Sequence, residues 1–79
     1  MLAYYIKAFD DSNGNAGSLA LQTVVTQTDP ITGYLPCVGE AFNVTDYPDL
    51  FKVVGMAYTT VTDGTTFNVQ NIAIQSMEP

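Results

Sequence analysis

The chain has 79 residues, 47% hydrophobic and 13% charged, with a single cysteine and no histidine. That leaves room for one ordered domain and excludes an intrachain disulfide or a zinc site built from several thiols and imidazoles. Eight acids against two lysines, Lys7 and Lys52, with no arginine, give a net charge of −6; the clustered cations that hold nucleic-acid phosphates or anionic lipid are missing.

Ten threonines, eight valines, four isoleucines and nine aromatics favour strands, and the composition predicts a mostly β domain with one short α-helix, an α+β fold. Leu2 to Phe9 is the first strand. Leu2, Tyr4, Ile6 and Ala8 share one face and Ala3, Tyr5, Lys7 and Phe9 the other, so both faces carry apolar groups. Such a strand is either central in a sandwich or pressed against a neighbouring subunit. Asp10 to Gly17 is a turn-rich loop in which Asn13-Gly14 signals a reversal, and Ser18 to Thr28 reads as the returning strand of a hairpin. A helix is expected at about Tyr47 to Val54. Asp46 is placed to cap it, Pro48 suits its first turn, Asp49 the positive end of its dipole and Gly55 its close. Tyr47, Leu50, Phe51 and Val54, spaced i, i+3, i+4, i+7, form one apolar stripe for a sheet. Beyond it, Met56 to Thr62 and Thr66 to Ile74 flank Asp63-Gly64 and read as a second hairpin.

Candidate chemistry is sparse. Asp11, Asn13 and Asn15 stand at the first, third and fifth positions of a calcium loop, but Ala16 replaces the sixth-position glycine and Gln22 the twelfth-position glutamate, so a turn is the better reading and no metal or other cofactor is expected. Asn43-Val44-Thr45 has the form of a glycosylation sequon. The opening run Met1 to Lys7 lacks the features of a secretory signal, and no apolar run is long enough to span a membrane, so an untargeted chain without membrane insertion is expected and the sequon reads as chance. Without histidine the commonest general base is missing, Cys37 sits among apolar neighbours with no cation beside it in sequence, and Asp46 and Asp49 fit helix-start roles. A non-enzyme is expected, with no catalytic residue.

Several intervals agree with a known family. Gly33-Tyr34-Leu35-Pro36-Cys37-Val38-Gly39, then Tyr47-Pro48-Asp49-Leu50-Phe51-Lys52-Val53-Val54-Gly55, then Tyr58, and finally Thr66-Phe67-Asn68-Val69, together resemble the phage tail collar domain. That pattern opens on Gly-aromatic-Leu-x-Cys-x-Gly, continues through a Tyr-x-x-Leu-Phe-x-x-hydrophobic-Gly helix and closes on Thr-Phe-x-hydrophobic-Pro-Asp. The resemblance runs from Gly33 to about Gln70. It implies structural roles for Gly33, Cys37, Gly39, Tyr47, Pro48, Leu50, Phe51, Gly55 and Phe67. Where the family runs on through Pro-Asp-Leu-Arg-Gly into a longer distal part, this chain has Gln70-Asn71-Ile72-Ala73-Ile74, so the metal ligation and receptor binding of related short tail fibres carry over to no residue here. The expected organisation is an N-terminal β-hairpin over 1–28, serving assembly, and a collar-like domain over 29–79.

Surface scaling has folding bury roughly 62% of the unfolded area of a chain this size. The apolar part of that burial, ~115 kcal/mol at ~25 cal/mol/Å², is matched by an ordering cost of ~1.5 kcal/mol per residue. Association with other chains is the staple that remains. The resemblance implies a virion structural protein of a bacteriophage, assembled in the host cytoplasm, in the tail, a fibre or the baseplate. Its expected partners are itself, as a homo-oligomer with a trimer favoured, and other virion proteins, with Leu2, Tyr4, Tyr5, Ile6 and Phe9 at the contact. Two alternatives remain: capsid decoration, and a host-glycan binding module using the Tyr/Thr/Asn/Gln mixture of Met56 to Gln70.

Overall fold

The computed structural model describes residues 1–59 and 63–72. In chain order the elements are β1 (Leu2–Lys7), β2 (Leu19–Thr23), β3 (Tyr34–Pro36), β4 (Ala41–Asn43), α1 (Pro48–Val54) and β5 (Thr66–Asn68). They form a three-stranded antiparallel sheet in the order β2-β1-β3 and a two-stranded antiparallel sheet of β4 and β5. The fold is therefore mostly β with one short helix.

β1 is central, and both of its faces are covered by the chain itself. Ile6 packs on one side into a cluster with Ala16, Cys37, Leu50, Val54, Phe67 and Val69, with Tyr4, Leu35 and Phe51 packed against it. Ala3 and Tyr5 pack on the other with Val24, partly covered by Ile31 and Tyr34. Of the two explanations for a strand with two greasy faces, the structure selects the intramolecular one. Segments 8–18 and 24–33 fold back over faces that alternation left apolar.

The β1–β2 turn departs from the sequence reading. Asp11 and Gly14 exchange backbone bonds of 2.9 and 3.2 Å, so Ser12 and Asn13, not Asn13 and Gly14, occupy the corner. The Asp11 carboxylate accepts the Asn13 N–H at 2.8 Å, the local side-chain bond that favours such turns. β2 is shorter than the expected Ser18 to Thr28, because Asp29 turns the chain. Its carboxylate accepts the N–H groups of Val25 and Thr26 at 2.8 and 3.2 Å, and the Thr26 hydroxyl.

The helix starts one residue later than expected, with Pro48 at its first position and Asp49 in its first turn. Tyr47 stands at the N-cap and makes no side-chain capping bond. Asp46, expected to cap, instead accepts the Asn43 side-chain amide at 3.1 Å, and the missing cap bond is offset by burial of Leu50 and Val54. Gly55 closes the helix with a positive φ of 59° and donates its N–H to the Phe51 carbonyl at 2.7 Å.

Part of the expected second hairpin, residues 60–62 and 73–74, lies outside the described residues. Residues 56–58 are in turns, and β5 pairs with β4, Phe67 opposite Phe42. Asp63 does hold a turn, accepting the N–H groups of Thr65 and Thr66 at 2.9 and 3.0 Å, but it feeds β5 to an earlier partner. Phe67 then enters the main cluster.

Candidate functional site

Most of the positions with structural roles lie in or beside the main cluster, with Cys37, Leu50 and Phe67 in it and Tyr47 and Phe51 packed against it. Ile31, Thr32, Gly33 and Tyr34 form a tight turn, closed by the Tyr34 N–H to the Ile31 carbonyl at 3.0 Å, with Gly33 at φ 82° where the third turn residue must be left-handed. β3 then lays Cys37 beside β1, its N–H donating to the Tyr4 carbonyl at 3.1 Å. Gly39 donates to the Gln70 carbonyl at 3.1 Å, and a Cβ there would lie 3.3 Å from that of Asn71. Gly39 thus permits the approach of the strand-to-turn segment to the chain following β5.

Around this junction runs a connected set of aromatic rings. Phe9 stacks on Tyr47 at 5.4 Å, Tyr47 meets Phe42 edge-on at 5.4 Å, Phe42 lies 6.5 Å from Phe67, and Phe67 lies 5.4 Å from Phe51. The helix stripe, β4 and β5 therefore meet in one cluster, which accounts for Tyr47, Leu50, Phe51 and Phe67 standing at fixed intervals. Pro48 sets the start of the helix and Gly55 its end. Cys37 is buried at the centre, and burial pushes its thiol up to about 11. It remains a neutral thiol at physiological pH.

The five residues expected at a contact do not share one surface. Tyr5 and Ile6 are fully buried within the chain, Leu2 and Tyr4 are half-buried, and Phe9 alone is largely open, 44% exposed. Tyr5 is fixed further by its hydroxyl, which donates to the Asp29 carbonyl at 2.6 Å. The large exposed apolar side chains lie elsewhere, among them Leu19 and Leu21 on β2 and Val25 just after it.

Several acids have positions that composition could not reveal. Asp11 forms an ion pair with Lys7 at 2.7 Å, and Lys7 itself is buried, its ammonium 5.8 Å from the Tyr34 ring centre. That hydrogen bond, the Asn13 N–H and the Lys7 charge hold the Asp11 carboxyl below its ordinary value, and the carboxylate expected to begin a calcium loop faces a lysine. Asp10 accepts the Ala16 N–H at 2.7 Å and donates its own to Asp49 at 3.2 Å, tying the loop to the helix. Gly17 was not singled out by sequence, yet a Cβ there would lie 2.6 Å from Val53 Cγ1. Its only sequence signal is its place at the end of a glycine-containing loop.

No ligand-sized pocket and no group of three or more metal-binding side chains occurs among the described residues. No helix among them is long and apolar enough to cross a membrane. What the arrangement offers is a small β-rich scaffold whose repeated intervals serve packing, the properties of a structural domain. The family model of the phage tail collar domain matches residues 21–73, well over half of the chain, and the chain belongs to that family. The match starts within β2, upstream of Gly33, and takes in every position assigned a structural role above. It makes the chain a structural protein of a bacteriophage tail and a virion component. Comparison with curated proteins and with solved structures finds no match.

Proposed function

We propose that the chain is a collar component of a tail fibre or baseplate that acts through assembly contacts, joining copies of itself to other virion proteins with its N-terminal hairpin, residues 1–28, as the joining element. The observation that carries this reading is the pairing of a core devoted to packing with exposed apolar side chains on the hairpin, Phe9 at one end and Leu19 and Leu21 on β2. A homo-oligomer, with a trimer the family's common form, fits the small size of the chain. The acidic surface suits protein partners rather than nucleic acid.

Locating the chain on purified particles tests the reading, by gold-labelled antibody and by copy number. A few copies at the tail are expected. Hundreds spread over the head would replace it with capsid decoration. Glycan binding is retained only through Tyr58, 48% exposed: array binding abolished by Tyr58→Ala would support it, and its persistence in that variant would reject this surface.

A further inference from the structure

We propose that the outer edge of β2 is a self-pairing surface, on which two copies join antiparallel with Leu21 opposite Leu21 across a two-fold axis, merging two three-stranded sheets into one of six strands. The backbone bonds at the two ends of the β1–β2 ladder fix which residues face outward. Met1 and Val24 exchange bonds of 2.9 Å, and Lys7 donates to the Ser18 carbonyl at 2.9 Å. Alternation in an antiparallel ladder then turns the backbone of Ser18, Ala20, Gln22 and Val24 toward β1 and that of Leu19, Leu21 and Thr23 away from it. Those three outward residues are spaced for a pairing of Leu19 with Thr23 and Leu21 with itself, an isologous arrangement in which every outward N–H and C=O finds a partner. Their side chains share one face of the sheet, and Leu19 and Leu21 are 46% and 45% exposed, so the same register brings apolar groups together.

The other edges are shorter and are largely closed by means β2 lacks. The outward positions of β3 are Tyr34 and Pro36; proline has no N–H, and that of Tyr34 is taken by the Ile31 carbonyl. On β5, the outward N–H of Thr66 is held by Asp63 and that of Asn68 by the Thr59 hydroxyl, each at 3.0 Å. On β4, three residues long, the Asn43 carbonyl accepts from Asp46 and Tyr47, and Glu40 directly precedes the strand. β2 carries no proline and no charge, the devices that normally blunt an edge.

Charge selects a second copy as the occupant. Two chains of net charge −6 repel, and their join is least opposed where acids are absent. Ser18 to Thr28 is an eleven-residue run without a charged side chain. The pairing rests on the assembly reading for a biological role but replaces its trimer with a two-fold dimer as the self-association of the isolated chain, and the two can fail separately, because tail location is read on particles and pairing in solution.

The test is sedimentation equilibrium of the full chain over a wide concentration range, with amide exchange followed by NMR. Mass should move from monomer to dimer as concentration rises. The amides of Leu19, Leu21 and Thr23 should gain protection in step, while those of Ala20 and Gln22 stay protected throughout. Leu21→Lys, which sets two ammonium groups face to face, should hold the chain monomeric and abolish the concentration-dependent protection. Outward amides indifferent to concentration would overturn the proposal, whether the chain stays monomeric, dimerises elsewhere or covers the edge with a segment of its own. So would a folded Leu21→Lys protein that dimerises like the parent. If that variant loses protection at Ala20 and Gln22 and so fails to fold, the concentration response of the parent amides decides alone.

Discussion

Gly17 shows how much one missing atom can matter. Its φ of 96° is left-handed, and the site of its absent Cβ lies 2.6 Å from Val53 Cγ1, so alanine would meet both backbone strain and a clash with the helix. Gly17→Ala should cost about 1–3 kcal/mol, read as a lowered urea midpoint. Val53 is exposed, so Val53→Ala should be mild alone and should recover the steric part of the loss in the double variant, leaving the backbone part. Equal losses in the single and double variants would show that the contact is unimportant. None of this was legible in the sequence, because the contact joins a loop to a helix far along the chain and a glycine records only an absence.

The acids add a dependence on pH. The Lys7 hydrogen bond at Asp11, the Thr26 hydroxyl at Asp29 and the Thr65 and Thr66 N–H groups at Asp63 hold these carboxyls below their ordinary value of 3.8. A depressed carboxyl contributes stability that is complete above its unfolded value and is lost as pH falls through the folded one. The urea midpoint should therefore fall in acid below about pH 4. Asp29→Asn with Asp63→Asn should flatten that limb while lowering the midpoint at neutral pH. A midpoint that rises on acidification would contradict the assignment. Tyr5 shifts the other way, upward through burial and then the neighbouring Asp29 charge, so its contribution is complete below its unfolded value and is lost in strong alkali.

Among the elements, those with local signals were the legible ones. The helix announced itself through Pro48, the stripe of Tyr47, Leu50, Phe51 and Val54, and Gly55, and β1 through its density of apolar residues, since both rest on neighbours a few residues away. The β4–β5 pair did not. Each strand is three residues long and each includes asparagine, so neither has a run from which alternation could be read, and Asp63-Gly64 pointed to the nearer partner. The capping role expected of Asp46 failed because the chain enters the helix one residue later, with Tyr47 at the cap among Phe9 and Phe42. Asp46→Ala should accordingly cost less than about 0.5 kcal/mol, whereas loss of a true cap typically costs ~1 kcal/mol. A loss at the larger value would show that Asp46 does cap. Phe67→Ala should cost about 3–5 kcal/mol, enough to unfold most of a small domain, because Phe67 is fully buried between Phe42 and Phe51. A well-folded Phe67→Ala protein would mean that the cluster does not hold the two sheets together.

On the scale of the molecule, the aromatic-rich start of the chain is largely absorbed by its own core, and the hairpin's far strand, with Leu19 and Leu21 exposed, is the surface proposed for a partner. Sequence made β1 conspicuous because its composition is extreme, whereas β2 is ordinary in composition and becomes notable only when the sheet order of the described residues leaves it at an edge. Family intervals were legible because they encode packing at fixed spacing. The proposed contact surface was not, because an edge is defined by what does not lie beside it.

The central claim is that this small tail domain is completed by association, and thermal unfolding across a hundredfold range of protein concentration tests it most directly. The midpoint should rise steadily with concentration, as mass action requires when only the folded chain associates. A sharp transition at one temperature over the whole range would contradict the claim.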